Sequence, residues 1–545
     1  MISFFNHISG MFPKREFQFE VIGTFYKGLS AKTCQLIDAL EKNNQNRAYQ
    51  VWSQMFRDHY TGFFHQVDGA FIIAWSDGNK GYIYKNPLCK LSMYYRMKDG
   101  ILQWSTNPID LLSENIRFNK QNILLGCLGE NPIAGDSFYE GISRLPAGHL
   151  LTFENGTIDI WQVDRFHSLP AQRTLSGWAE EVRATLKETI LRRIRPSQKI
   201  GVILSGGVDS SAVLCALKDA GVEVHAFHWH FDQIPAADES FYAKKASEHL
   251  GVPLHLIPFS SIIQSQSYFR SWNFSSPYNH SFYSLFEETR DRCLEMGIDT
   301  VSSGYLADFL FGSRGKRLSL LSLIRSFSLT GAIRYLRELW GVPNVYRNPD
   351  IEKFERLSWY EEFLSDSAVD WIKERYVSQA SSLENTFLSL SDNEDESVVE
   401  SHLFYPHRIA VFYPLLSREL IQLSLTLPEE YRLIPIGGQF VEKPVLRLAF
   451  LEKLPPEIIS RNHRQLMTAA NEKYVVENRD QILSILGRDS ILASMEIVNP
   501  EKMEVMNMAE WARSASGLIC CCMMELWLRS VLKGEEKNGE LQNSS

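Results

Sequence analysis

Two kinds of hydrophobic spacing divide the chain. Up to about residue 165 the apolar positions fall in short strand-like runs: Gly69-Ala70-Phe71-Ile72-Ile73-Ala74-Trp75, Gly81-Tyr82-Ile83-Tyr84 and Met93-Tyr94-Tyr95-Arg96. Asp-Gly and other glycine turns separate them, which predicts a β-rich layered domain over residues 1–166. A linker is expected from Phe166 to Ser176. From Thr174 the period lengthens to that of a helix, with Trp178, Val182, Leu186, Ile190 and Leu191 on one face. Between 199 and 312, apolar runs at 200–204, 223–229, 254–258 and 298–302 alternate with helical stretches. Such alternation predicts a parallel sheet covered by helices, in a second domain over 175–532. Residues 316–400 read as helical and charged, ending in an acidic, serine-containing stretch from Ser389 to Glu400 expected to be inserted or mobile. Helices are expected again from 408, and residues 533–545, KGEEKNGELQNSS, as a disordered tail. The fold class expected is a two-domain α/β chain.

Composition narrows the function classes. A net charge of -9 over 545 residues argues against a dedicated nucleic-acid binder, whose affinity depends on clustered Lys and Arg. The eight cysteines lack CxxC spacing and the density of a disulfide scaffold, so a reducing cytoplasm is the expected setting. The start of the chain lacks the basic end and apolar centre of a signal peptide. No membrane span is expected: the nearest candidate, Gly517 to Leu532, carries Glu525 and Arg529 and reads as a buried or amphipathic helix.

The most informative segment is Ser205-Gly206-Gly207-Val208-Asp209-Ser210-Ser211, between the apolar run Ile200 to Leu204 and the helical run Ala212 to Leu217. Free N–H groups at a helix start, approached closely past two glycines, suit a phosphate. Asp209 would repel bare phosphate. A carboxylate there makes sense with a hard cation such as Mg²⁺ bridging it to phosphate oxygens. The loop has no lysine and is not the GxxxxGK[ST] loop.

The segment resembles the SGGxDS loop of the ATP pyrophosphatases, and most of the chain resembles the asparagine synthetase superfamily. The N-terminal part carries Asp68-Gly69-Ala70-Phe71, Met93-Tyr94-Tyr95, and Ile142 to His149 with Trp161 beyond, similar to a class II glutaminase domain of Ntn-like fold. Further on come Asp238 to Ala243, then Ser303-Gly304-Tyr305-Leu306-Ala307-Asp308, similar to SGxGxD. Last come Lys443-Pro444-Val445-Leu446-Arg447, Leu454-Pro455 and Arg461, similar to the KxxLR, LP and RxK pattern. The resemblance implies ATP bound by Ile203, Ser205, Gly206, Gly207, Asp209, Ser210, Ser211, His228, Ser303 and Gly304. It implies Mg²⁺ held by Asp209 and Asp308, and catalytic roles for Tyr305, Lys443 and a basic residue near 463.

Three departures refine this. Position 2 is Ile2 where a working glutaminase carries its nucleophilic cysteine, so a degenerate, non-hydrolysing N-terminal domain is expected. Tyr305 stands where β-lactam synthetases carry a tyrosine of a Tyr-Glu pair that deprotonates an attacking amine, with Glu338 the nearest helical candidate for the glutamate. His463 stands where relatives have a lysine that stabilises the transition state, a role Arg464 could take instead. Lys443 and Arg447 could equally be surface partners on a helix. The reading that follows is a lasso peptide cyclase of the microcin J25 type. It would adenylate a side-chain carboxylate of a precursor peptide and join it to that peptide's N-terminal amine, with a leader-peptide protease as second partner. A β-lactam- or carbapenam-forming ligase, an ammonia-dependent asparagine synthetase and a non-catalytic scaffold are the alternatives.

Overall fold

The computed structural model describes residues 2–12, 19–26, 30–78, 80–113, 115–168, 171, 173–195, 198–260, 276–277, 282–312, 320–340, 357–378, 398–436, 439–461 and 468–543. Its N-terminal half carries two antiparallel sheets. One runs, in spatial order, β1 (Ile2–Phe4), β3 (Phe19–Phe25), β4 (Gly69–Asp77), β5 (Lys80–Lys85), β9 (His149–Glu154) and β10 (Thr157–Gln162). The other runs β2 (Ser9–Phe12), β7 (Ile101–Ser105), β6 (Tyr94–Lys98) and β8 (Ser143–Arg144). Two helices fall where only strands and turns were expected, α1 (Ala31–Glu41) and α2 (Gln45–His59). Ser30 and Asn44 cap them by accepting from the Thr33 and Arg47 amides, and a buried stripe of Val51, Trp52, Met55 and Phe56 lies on α2. That stripe packs on the outer face of β4 and β5, with the Trp52 and Trp75 rings 5.4 Å apart.

The second half is built on a five-stranded sheet, all parallel, in the order β13 (Leu254–Pro258), β12 (Glu223–His230), β11 (Lys199–Ile203), β14 (Thr300–Ser303), β15 (Ala410–Phe412). Helices α5 (Val208–Asp219), α6 (Ser240–Leu250) and α7 (Tyr283–Glu295) cover it, as short continuous apolar runs such as Ile200 to Ile203 require when both faces are buried. Four strands lie within two residues of the expected runs. The fifth replaces the helix expected from 408, and a hairpin, β16 (Leu433–Ile436) and β17 (Gln439–Glu442), interrupts that region again. Three or four residues are too few to display a period. The strand order reverses between β11 and β14, and such a reversal opens a crevice at the carboxyl ends of the strands.

Helix α4 (Leu175–Arg193) buries Trp178, Val182, Leu186 and Ile190, but Leu191 turns out to solvent, one step of 100° beyond the stripe. One hydrophobic core runs through both halves, from Phe12, Trp104 and Phe153 to Leu186, Val202 and Phe412. An ionic cluster spans them too: Asp68 accepts from Arg193 at 2.6 and 3.0 Å and from Arg192 at 3.2 Å. Burial alone would raise the Asp68 carboxyl, but the Arg193 charge and hydrogen bonds, with Arg192 adding, hold it below its ordinary range.

The terminal helix, Ala515–Asn543, continues through most of the stretch expected to be a disordered tail. Three glutamates and two lysines favour helix there; Gly534 and Gly539 each cost about 1 kcal/mol, but no proline stops the helix already established before them. Its segment Ala515–Lys533 is long and apolar enough to cross a membrane, with 67% of it buried inside the protein. Glu525 explains why it stays there. The fully buried carboxylate accepts from the Ile491 and Leu492 amides, both at 2.9 Å, and from Arg529 at 2.7 Å. None of the eight cysteines is in a disulfide. The acidic stretch expected to be inserted lies outside the described residues up to 397.

Candidate active site

The glycine loop sits at the sheet reversal. Gly206 takes a φ of +82°, and a Cβ there would fall 2.6 Å from the Ala243 amide nitrogen, so α6 presses on the loop. Ser205 Oγ lies 3.0 Å from Ser210 Oγ and accepts from the Gly207 amide at 3.2 Å. The loop is thus folded back on the first turn of α5. Across from it, Gly304 at the end of β14 approaches the same turn; a Cβ there would lie 2.5 Å from the Ser210 amide nitrogen. This close approach brings the start of helix α8 (Ala307–Phe311), with Asp308 in its first turn, beside the start of α5, with Asp209 in its own.

Lys443 joins the two acids. It precedes helix α12 (Pro444–Ala449), in a left-handed conformation at φ +54°. Its Nζ pairs with Asp209 Oδ2 and lies 2.6 Å from Asp308 Oδ1, and its side chain is 1% exposed. It is a buried hub, not a surface partner. Arg447, the other residue of that pair, donates to the Ile459 and Arg461 carbonyls at 2.6 and 2.8 Å and so fastens a neighbouring turn.

A cavity of about 320 Å³ opens beside this cluster. Of the expected residues, Ile203, Ser205, Asp209, Ser210, His228, Ser303, Gly304, Tyr305 and Asp308 line it. Gly206 and Gly207 shape the loop from behind, and Ser211 is fully buried away from the wall, on the inner face of α5. His463 and Arg464 lie outside the described residues. Glu338 sits on α9 (Leu320–Trp340) and is not part of the wall.

His228 holds a defined tautomer. Its Nδ1 donates to the Leu204 carbonyl at 2.7 Å, and burial lowers its pKa, so the ring stays neutral and Nε2 is an acceptor. Sequence reasoning missed Trp229 and Phe231, which complete the wall with Leu204, Ala237 and Glu239, and it gave no site role to Glu239 or to Arg461, which pairs with Glu239 and stacks 3.9 Å from the Tyr242 ring. It also missed Lys90, from the N-terminal half, whose Nζ lies 3.1 Å from the Tyr305 ring centroid. A lysine inside the apolar run Pro87-Leu88-Cys89-Lys90-Leu91 was the one signal available.

The asparagine synthase family profile matches residues 181–529. The chain belongs to the asparagine synthase family, a family of ATP-dependent ligases. Among curated proteins it is similar to a tRNA(Ile)-lysidine synthase of Porphyromonas gingivalis, 30% identical over 23% of this chain and 27% of that protein. It is similar to amidase chyE of Penicillium rubens, 23% identical over 46% of this chain and 38% of that protein. Amidase chry2 of Gibberella zeae is 24% identical over 43% and 35%. The chain therefore spans between about a quarter and two-fifths of the length of these relatives. Among solved structures, the U34-tRNA thiolase NcsA of Methanococcus maripaludis matches 54% of this chain and 80% of its own, at 14% identity and a TM-score of 0.21.

Proposed function

We propose that the chain is an ATP-dependent amide-forming ligase that activates a carboxylate as its adenylate, with release of pyrophosphate, and passes the acyl group to an amine, with release of AMP. The observation that carries this is the convergence of Asp209 and Asp308, from two different helix starts, on one cationic nitrogen beside the cavity. Two carboxylates that reach a single positive centre are a donor set that fits Mg²⁺, with phosphate oxygens able to complete its shell. The ion would supply charge neutralisation on the departing pyrophosphate. Gly206 and Gly207 would let phosphate reach the loop backbone, with Ser205 and Ser210 as hydroxyl donors. Ile203, Ser303, Gly304 and the neutral His228 would bound the nucleotide, with Ser211 behind them supporting the loop. Lys443 would meet phosphate charge once the nucleotide enters, and Tyr305 would take the proton from the attacking amine. His463, or Arg464 in its place, would supply the cation that stabilises the acyl transition state and the departing phosphate.

On the finer level we read residues 1–166 as a glutaminase-like domain, residues 175–532 as the ligase domain, and the substrate as a precursor peptide closed into a ring by an isopeptide bond. Supporting a peptide is the helix α9, which exposes Leu329, Ile333 and Leu336 at i, i+4 and i+7, one continuous apolar face. A small-molecule acid is the second reading, favoured by the modest cavity and by the names of the two amidase relatives. Full-length protein with Mg-ATP would be offered, in separate arms, a precursor peptide encoded beside it together with its protease, amino-acid-derived β-amino acids, and aspartate with ammonium. AMP formation with loss of one water from the peptide supports the cyclase; a product in another arm moves the reading there. ADP as the nucleotide product would end the proposal altogether.

A further inference from the structure

Lys90, from the N-terminal half, touches a wall residue of this cavity. It sits in the turn between β5 and β6, 2% exposed. Its Nζ lies 3.1 Å from the centroid of the Tyr305 ring and 3.9 Å from that of Tyr413, two rings 5.0 Å apart at 47°. The turn is stiff: the Asn86 amide donates to the Phe71 carbonyl at 3.0 Å, the Leu88 amide to Asn86 Oδ1 at 2.9 Å, and Leu88, Cys89, Leu91 and Met93 are buried in the shared core.

A fixed positive charge against a phenol ring does something packing cannot, because it favours the phenolate over the neutral form. It also holds the ring in one orientation against Tyr413.

We propose that Lys90 is a positioning residue that orients Tyr305 and poises its phenol for proton transfer, so that the N-terminal half completes the amide-forming site. This rests on the reading of Tyr305 as the group that takes the amine proton. Tyr305 shares its cavity with Asp209, Asp308, Glu239 and His228, with Lys443 between the first two, and these charges stay in place when Lys90 is changed.

The test uses the full chain labelled with ¹³Cζ-tyrosine, the Tyr305 resonance being the one lost in Tyr305→Phe. In Lys90→Met, with Lys90→Gln as a second uncharged variant, that resonance should titrate at least about one pH unit higher than in the wild type. A cooperative thermal transition in both variants establishes that they fold. Tyr305 titrating at the same pH in wild type and both variants overturns the assignment of Lys90, whatever the substrate. Product formation by Tyr305→Phe at the wild-type rate instead fells the reading of Tyr305, and the two failures are thereby distinct.

Discussion

Lys443 Nζ stands 2.6 Å from Asp308 Oδ1 while it pairs with Asp209, although Asp308 is 58% exposed and Lys443 only 1%. The buried partner is the lysine, and the acid able to meet solvent and nucleotide is Asp308. Two carboxylates brought this close would repel without a cation between them.

Replacing either acid by its amide should therefore strip the cluster of half its negative charge while keeping its shape. Asp209→Asn and Asp308→Asn should each lower AMP formation by on the order of a hundredfold or more. Steady-state AMP release at saturating Mg-ATP checks this, and a loss of less than about threefold in both would remove the acids from the site.

Tyr305→Phe separates the two half-reactions. Exchange of labelled pyrophosphate into ATP should persist, because activation of the acid needs no base at Tyr305. Amide formation should slow by roughly 10²–10⁴-fold, the range of a lost general base. Loss of exchange would contradict the assignment.

Gly304 allows β14 to approach the first turn of α5, and a methyl group there meets backbone, which cannot swing away as a side chain can. Gly304→Ala should cost about 1–3 kcal/mol and weaken nucleotide binding by spreading Asp209 from Asp308. Thermal melts and calorimetric titration with Mg-ATP read the two effects separately. Both unchanged would mean the approach is incidental.

Acid should unfold the protein in two stages. Burial holds His402 down at about 4, while the unfolded chain binds that proton near 6.5, so stability declines as pH falls from about 6.5 toward 4. Asp68, depressed in the folded state, contributes stability above about pH 3.9, and that contribution is lost as pH falls further. His402→Phe should flatten the first stage in urea melts taken across this range. Asp68→Asn should cost about 3–5 kcal/mol at neutral pH, by leaving Arg193 buried without its partner.

The parallel sheet was legible because its strands are apolar runs buried on both faces, and the loop because serine, glycine and aspartate at that spacing have few other uses. Contacts made across the chain were not legible. The resemblance marks Lys443 as catalytic, but its burial between Asp209 and Asp308 depends on the β16–β17 hairpin that precedes it, which no local period records. Lys90 reaches Tyr305 over some two hundred residues of sequence, a pairing no local period records. Helices α1 and α2 are missed because the strand pattern of residues 69–96 is extended over the whole of the first 165 residues, although Ser30 and Asn44 start helices there. The helix running on to Asn543 is not legible because a charged, glycine-containing stretch fits a disordered tail equally well, and only its continuity with the apolar helix before it carries it on.

The hydrophobic core that passes from Phe12 and Trp104 through to Val202 and Phe412 makes the two halves thermodynamically inseparable. Cutting the chain near residue 170 would not release a minimal ligase. It would lay bare an oily wall that the antiparallel sheets now cover, and the fragment should aggregate before it could bind nucleotide.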